Sequence, residues 1–541
     1  MGRDYGASSE ALLPREHSPF FVPASQRSRN DLAWTISWVV MYVLSVGAGL
    51  YAFLNRNVDF LSQLTPTYLN DPSNCPAKPP LAKKRSLLSL LTSEDPDSPM
   101  QMDEFLSHSL IWLIASLVGA VVIGTVFVYM VTKSPRLLVW LSIGVQVGLP
   151  LGAGTSVLMQ GGGASSLPFL FLAALLMLTF WMWRSQLQLV IQFLGVSGHG
   201  LSDNLGLVGA VLGLQVGLLV LLVPLLVSIM AAVINGKVVL NPERSLESGS
   251  QCVDVQGQDV FCCAWQTEPY VAPLIALIIF TLSWTSFIGA EVRTFTVAGT
   301  IAQWYFAPAV TESNKTARSG RVGRSLVAAL GPSFGSLCFG GLVLTIVNIL
   351  RNIMEQLRKK AESNIFMYCL FIITQYIFTL IELVTKFATV RLAITGEAFL
   401  VASRNVGDLL KRNFLDAFGV WWFPPMILNM SALVISAIWS LSIYSFSAAA
   451  WSGLVQGHQY AVALATISFI LSAIVLSFFT SLLLNIIDSV FICFAMDRDM
   501  HQCSRLEVHE VYSQLPTVGP VVENPDGAYA YAAPARQHAM P

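Results

Sequence analysis

The chain has 541 residues, of which 54% are hydrophobic and only 12% charged, with a formal net charge of −1. Soluble chains carry about 25% charged residues, so the composition excludes an ordinary soluble globular protein. The net charge says nothing of partners, no basic stretch interleaved with aromatics suggests nucleic acid, and the cysteines show no metal-ligand spacing.

Several apolar runs exceed the ~20 residues needed to cross a hydrocarbon core of ~30 Å. They predict an all-α, polytopic membrane protein with about ten transmembrane helices. Residues 1–31 are polar, with Pro14, Pro19, Pro23, Arg3, Arg15, Arg27 and Arg29, and read as a disordered cytoplasmic tail. The first apolar run starts at Leu32 with no clear small-residue cleavage site after it, so it reads as a retained span rather than a signal peptide. Residues 32–496 read as one ten-helix transmembrane domain. Span 1 covers 32–54, and residues 55–108 form a large extracellular loop, proline-rich and polar, that contains Cys75. Spans 2 and 3 follow at 109–132 and 137–159. Span 3 carries Gly144, Gly148 and Gly152 on one face, and span 4 covers 167–183.

Residues 184–204 alternate polar Gln186, Gln188 and Gln192 with Leu187, Leu189, Val190 and Ile191, and read as an interfacial connector. Span 5, at 205–234, repeats the glycine face with Gly209, Gly213 and Gly217. Glycines at four-residue spacing predict close backbone contact. The polar loop 235–269 holds Cys252, Cys262 and Cys263. A disulfide from Cys252 to Cys262 or Cys263 fits an extracellular or lumenal loop, and the spacing leaves the pairing open.

Span 6 runs from Tyr270 to Pro308. At 1.5 Å per residue it is roughly 57 Å long, nearly twice the core thickness, so it must tilt, protrude or break. Glu291, Arg293 and Gly299 mark the candidate interruption. A basic loop at 307–324 precedes span 7 (325–350), and spans 8, 9 and 10 cover 365–394, 420–447 and 460–495. Between spans 8 and 9, residues 395–419 read as an amphipathic surface helix. Residues 497–541 read as a disordered cytoplasmic tail, in which Tyr512-Ser-Gln-Leu515 fits a tyrosine sorting signal, a short match that usually arises by accident.

Ten spans place both termini on one side, and the excess of Lys and Arg in the loops of that side assigns it to the cytoplasm. One loop runs against the bias, with Arg351, Arg358, Lys359 and Lys360 between spans 7 and 8. Either span 7 continues as a helix beyond the bilayer, with Glu355 offsetting Lys359 at i+4, or the count of ten fails there. Asn314-Lys-Thr316 is a glycosylation sequon on the cytoplasmic side of this topology, so a glycan there would overturn it.

Ionisable residues inside a membrane are functional candidates by default. Glu291, Glu382, Lys386 and Asp488 are the four that stand out. Trp284, Phe287, Glu291 and Phe295 share a helix face, which could hold an organic cation between ring faces and a carboxylate. Equally, Arg293 could neutralise Glu291 as a structural pair. Glu382 and Lys386, at i and i+4, are expected to neutralise each other. Asp488 lies on a stripe with Ser477, Ser481 and Asn485, which reads as a water-lined path or as interhelical hydrogen bonding. Trp304 and Tyr305 read as interfacial anchors or as rings beside the substrate path. Gly299, Gly335, Gly340 and Gly341 permit close approach or a bend, and Cys338 reads as a small packing residue. All histidines fall in loops, tails or span edges, and no metalloprotease motif, phosphate loop or nucleophile elbow is present. The reading is therefore of a non-enzyme without a cofactor.

Two stretches carry a family resemblance, Ala298-Gly-Thr-Ile-Ala-Gln-Trp-Tyr-Phe306 and Ser333-Phe-Gly-Ser-Leu-Cys-Phe-Gly-Gly341, the second closing with Arg351. Phe387-Ala-Thr-Val-Arg-Leu-Ala-Ile-Thr-Gly396, Ala402-Ser-Arg-Asn405 and Ile487-Asp-Ser-Val-Phe-Ile-Cys-Phe494 extend it in the right order over roughly residues 190–500. The chain resembles the choline transporter-like family, including its fungal pH-nine-sensitive branch. The resemblance implies a ten-helix fold, cytoplasmic termini, the plasma membrane, and transport of choline or a related amine such as ethanolamine. It departs from the family pattern at Glu291-Val-Arg-Thr-Phe-Thr296 and at Glu397 after Gly396. The expected partners are an organic cation and membrane lipid; the sequence identifies no coupling ion. The competing reading is a non-transporting membrane scaffold or lipid-organising protein.

Overall fold

The computed structural model describes residues 10–14, 21–75, 102–241, 246–248, 251–253, 259–307, 320–360, 365–412, 414–452, 457–500, 502–513, 521–523 and 529–531. The chain is nearly all helix. Among the described residues, ten helices are long and apolar enough to cross a membrane, in the order and close to the positions that hydropathy predicts. Their flanks are lined with exposed aliphatic side chains such as Val216, Val220 and Leu226 on span 5. That is a surface for hydrocarbon rather than water.

Span 6 is the hub. It packs against spans 1, 5, 7, 8 and 10. It is one unbroken helix, Val271–Tyr305, so the interruption expected near Glu291 does not occur. Backbone N–H and C=O groups in a membrane have no water to turn to, and the Glu291 side chain finds its partner sideways, on span 8. All residues from Thr294 to Tyr305 are buried, as are all from Asn485 to Asp497 on span 10. The bundle is therefore densest at the end where the two terminal segments lie.

Span 7 starts later than hydropathy suggests. Arg321–Leu330 is a separate short helix, and the span itself is Phe334–Lys360. It continues past the apolar window, with Lys359 paired to Glu355 at 3.2 Å. This accounts for the loop that runs against the charge bias. Phe399–Arg412 is the expected surface helix, with Ala402, Val406 and Leu409 buried on its inner side. Residues 184–202 are the expected connector in helical form. They form a helix wedged against spans 2 and 10, with Leu187, Val190, Leu194 and Leu201 buried.

The glycine faces of spans 3 and 5 also depart from expectation. A Cβ at Gly144, Gly148, Gly152, Gly209, Gly213 or Gly217 would meet nothing within 4 Å. Close backbone approach occurs instead at Gly341, where a Cβ would lie 2.9 Å from the backbone nitrogen of Ile288 on span 6.

At the opposite end, strands Gly236–Leu240 and Cys263–Thr267 pair antiparallel, with Val238 opposite Trp265. Disulfides join Cys252 to Cys262 and Cys75 to Cys263 (Cα–Cα 5.2 and 5.6 Å). The second ties the loop after span 1 to the hairpin before span 6. Asn314 lies outside the described residues, so its sequon stays an expectation.

Candidate functional site

Halfway along the bundle, three helices bring four polar side chains to one junction. Span 6 supplies Glu291, span 8 supplies Lys386 and Thr389, and span 10 supplies Asp488. Lys386 and Thr389 stand at i and i+3, so one face of span 8 reaches both neighbours. The Thr389 hydroxyl donates to Glu291 Oε2, and the Lys386 ammonium pairs with Asp488 Oδ2. Lys386 is also within electrostatic reach of Glu291. Glu291 and Asp488 are only 4% and 5% exposed. Two buried carboxyl groups thus face one ammonium at this junction. Asn485, one turn from Asp488, has a buried Nδ2 with no partner among the described residues.

Two polar stripes lead to this junction from the disulfide end. On span 8, Gln375, Thr379, Glu382, Lys386 and Thr389 recur at alternating four- and three-residue steps, which is one helix face. On span 10, Ser477 is exposed, Ser481 half-buried, and Asn485 and Asp488 buried. Arg351 of span 7 pairs with Glu382 at 2.8 Å, and both side chains are about one-third exposed. Charged groups exposed to lipid at this depth are strongly unfavourable. These partly exposed polar groups lead along spans 8 and 10 to the buried Glu291, Lys386 and Asp488 cluster. The pairing differs from the sequence expectation, because Glu382 and Lys386 bond to other helices rather than to each other. Arg293 likewise forms no ion pair with Glu291 among the described residues; Thr389 and Lys386 take that role.

The aromatic candidates separate from this cluster. Trp284 is buried and donates its indole N–H to the Cys338 carbonyl on span 7 at 2.9 Å. Phe295 is fully buried one turn below Glu291, with the Arg27 guanidinium 5.3 Å from its ring centre. Trp304 and Tyr305 lie 13 and 14 residues beyond Glu291. At 1.5 Å per residue that is roughly 20 Å, too far for one small molecule to touch both ends. Trp304 donates to Asp203 Oδ2 at 2.8 Å and carries the Arg505 guanidinium 3.9 Å above its ring. Tyr305 donates to Asp497 Oδ2 at 3.1 Å, and His509 Nε2 lies 3.2 Å from the Tyr305 hydroxyl and 3.3 Å from the same carboxylate.

The two motifs behind the family resemblance therefore pack toward the terminal end of the bundle. Gln303 donates to Ser325 Oγ at 2.8 Å, and Gly299 leaves room for that same side chain. Gly340 lies against the Phe399 ring. Residues 21–31, expected to be part of a disordered tail, instead form a strap across three helix ends. Arg27 donates to the Ala393 carbonyl (2.6 Å) and the Leu392 carbonyl (3.2 Å) at the end of span 8, and to Val22 O at 2.8 Å. Burial pulls its pKa down to about 10, so it stays charged at neutral pH. Asp31 Oδ2 accepts from Ser336 (2.6 Å) and from the Phe399 backbone N–H (3.2 Å). Gly335 makes room for the strap, since a Cβ there would sit 2.5 Å from Asp31 O.

The segment after span 10 is folded as well, again in contrast to the expected tail. Ser504 caps Asp497 through two bonds, and Tyr512 is buried, stacked on Phe494 at 4.5 Å. Tyr512 is therefore not displayed as a sorting signal requires. No sequence signal marked Arg27, Asp31 or His509; the span 8 stripe that contains Thr389 was readable from its spacing.

Residues 167–499 match the family model described as plasma-membrane choline transporter. Relatives include a CTL-like protein of Dictyostelium discoideum, 24% identical over 44% of this chain and 44% of its own length. Protein PNS1 of Gibberella zeae is 25% identical over 47% of this chain and 46% of its own. Choline transporter-like protein 2 of Danio rerio is 26% identical over 50% and 40%. The chain thus spans less than half the length of each of these relatives. The matched stretch contains Glu291, Lys386, Thr389 and Asp488 and excludes the strap.

Proposed function

The chain belongs to the plasma-membrane choline transporter family, and from that premise we propose that it carries choline or a related small amine, ethanolamine included, across the plasma membrane. The observation that carries this reading is the pair of buried carboxyl groups, Glu291 and Asp488, in mid-bundle, where the polar stripes of spans 8 and 10 end. A cation arriving from the disulfide end meets two carboxyl groups there, and attraction between opposite charges is strengthened at hydrocarbon depth. Phe287, half-buried one turn above Glu291, can offer a ring face to a methylated ammonium. Trp304 and Tyr305 act in this reading as the closure of the far side.

Both termini are cytoplasmic in this proposal. The excess of basic residues in the loops on their side supports that orientation, as do disulfides confined to the opposite end. The fully buried lower halves of spans 6 and 10 then correspond to a carrier closed toward the cytoplasm.

The test is uptake of radiolabelled choline in cells lacking choline transport, with excess unlabelled ethanolamine as competitor. Saturable uptake that the competitor blocks supports the amine carrier. No uptake, with the protein verified at the surface, moves the weight to another substrate or to the scaffold reading.

A further inference from the structure

Lys386 is the unusual member of the cluster. A carrier for a cation gains nothing at first sight from a lysine at its binding site, because like charges repel. Yet its ammonium holds Asp488 and lies within electrostatic reach of Glu291, while about one-third of the side chain stays exposed. It is thus seated between the carboxylates and can still leave. Glu382 stands four residues earlier on the same helix face, where a lysine can reach it. That carboxylate is itself 37% exposed and bonded to Arg351.

We propose that Lys386 is a tethered stand-in for the substrate cation: it neutralises Asp488 when no amine is bound, and an arriving amine displaces it toward Glu382. This rests on the amine-carrier reading above and adds to it a residue that sets the empty carrier's behaviour. With amine bound, the substrate supplies the positive charge. Without amine, the carrier must close and return with Glu291 and Asp488 buried, and leaving a buried carboxylate unpaired is strongly destabilising. Lys386 fills that role only on the empty return. It is therefore needed for net uptake and dispensable for exchange of amine for amine, in which the carrier never crosses empty.

The experiment uses the full chain reconstituted in vesicles, with labelled choline outside and either no amine or unlabelled choline inside. Lys386→Cys is compared with wild type in a Cys369→Ser background, since Cys369 is exposed. The expected result is that net uptake falls by about 100-fold, as for a buried pair deprived of one partner, while exchange persists. An aminoethyl methanethiosulfonate reagent, which rebuilds an ammonium at position 386, restores net uptake; the methyl reagent does not. Persisting exchange and the chemical rescue both report a folded carrier. Equal loss of both modes, or rescue by the neutral reagent, overturns the proposal while leaving the carrier reading in place. Absence of amine flux by wild type in either mode overturns both.

Discussion

Arg27→Met tests whether the terminal strap is part of the folded bundle. Methionine keeps an apolar stem but removes the guanidinium. The bonds lost to the bundle are those to Ala393 O at 2.6 Å and, more weakly, to Ser333 Oγ at 3.4 Å, while the bond to Val22 O lies within the strap. The Leu392 carbonyl retains the Gly396 N–H at 2.9 Å, so little is lost there. Hydrogen bonds from a charged donor contribute about 1.5–3 kcal/mol each, and relief of the buried charge offsets part of that sum. A net cost of about 2–3 kcal/mol follows, which raises the undocked population of the strap roughly 30- to 150-fold. Limited trypsin digestion reads this directly, because cleavage after Arg29 requires the strap to leave its groove. The new N-terminus at Asn30 should form faster by that factor, and Arg27→Lys should fall between the two. An unchanged cleavage rate at Arg29 would refute the strap as a load on the helix ends.

Glu291→Gln should lower amine uptake about 30-fold or more at unchanged surface level, as expected when one member of a buried charge cluster is lost; Thr389→Val should lower it less. Trp304→Ala should destabilise the detergent-solubilised protein by about 3–5 kcal/mol, with the KM for choline of surface-expressed protein unchanged; a raised KM would return Trp304 to the substrate path. Gly335→Ala should lower the melting temperature, because its Cβ meets strap backbone at 2.5 Å, an overpacking of about 1–3 kcal/mol. Gly148→Ala, which meets open space, should leave it level or raise it through better helix propensity, worth up to about 1 kcal/mol.

The spans were legible because ~20 apolar residues in a row have few other uses. Glu291 and Asp488 were legible for the same reason, as ionisable residues in hydrocarbon are rare. Their partners were not. Spacing along one helix makes Glu382 and Lys386 neighbours, but Arg351 and Asp488 arrive from other helices, and a single sequence does not rank such contacts. The glycines illustrate the same limit. Spacing shows that Gly144, Gly148 and Gly152 share a face, and says nothing of what lies opposite. The terminal segments were misread because composition registers their polarity alone. Helix ends expose unpaired carbonyls and N–H groups, and Arg27, Asp31 and Ser504 are polar because they serve those ends and their flanks.

The strap has a bearing on how the protein is made. Arg27 and Ala393 are 366 residues apart in the chain. At ~5–20 residues per second of synthesis, roughly 20 to 70 s separate the emergence of one from the other. Throughout that interval the strap's groove does not exist, and the N-terminus waits on its own side of the membrane while eight helices insert. A nascent chain stalled before span 8 is therefore open at that end, with the carbonyl-lined seat for Arg27 still unmade. Docking of the strap can therefore come only after span 8 has been made.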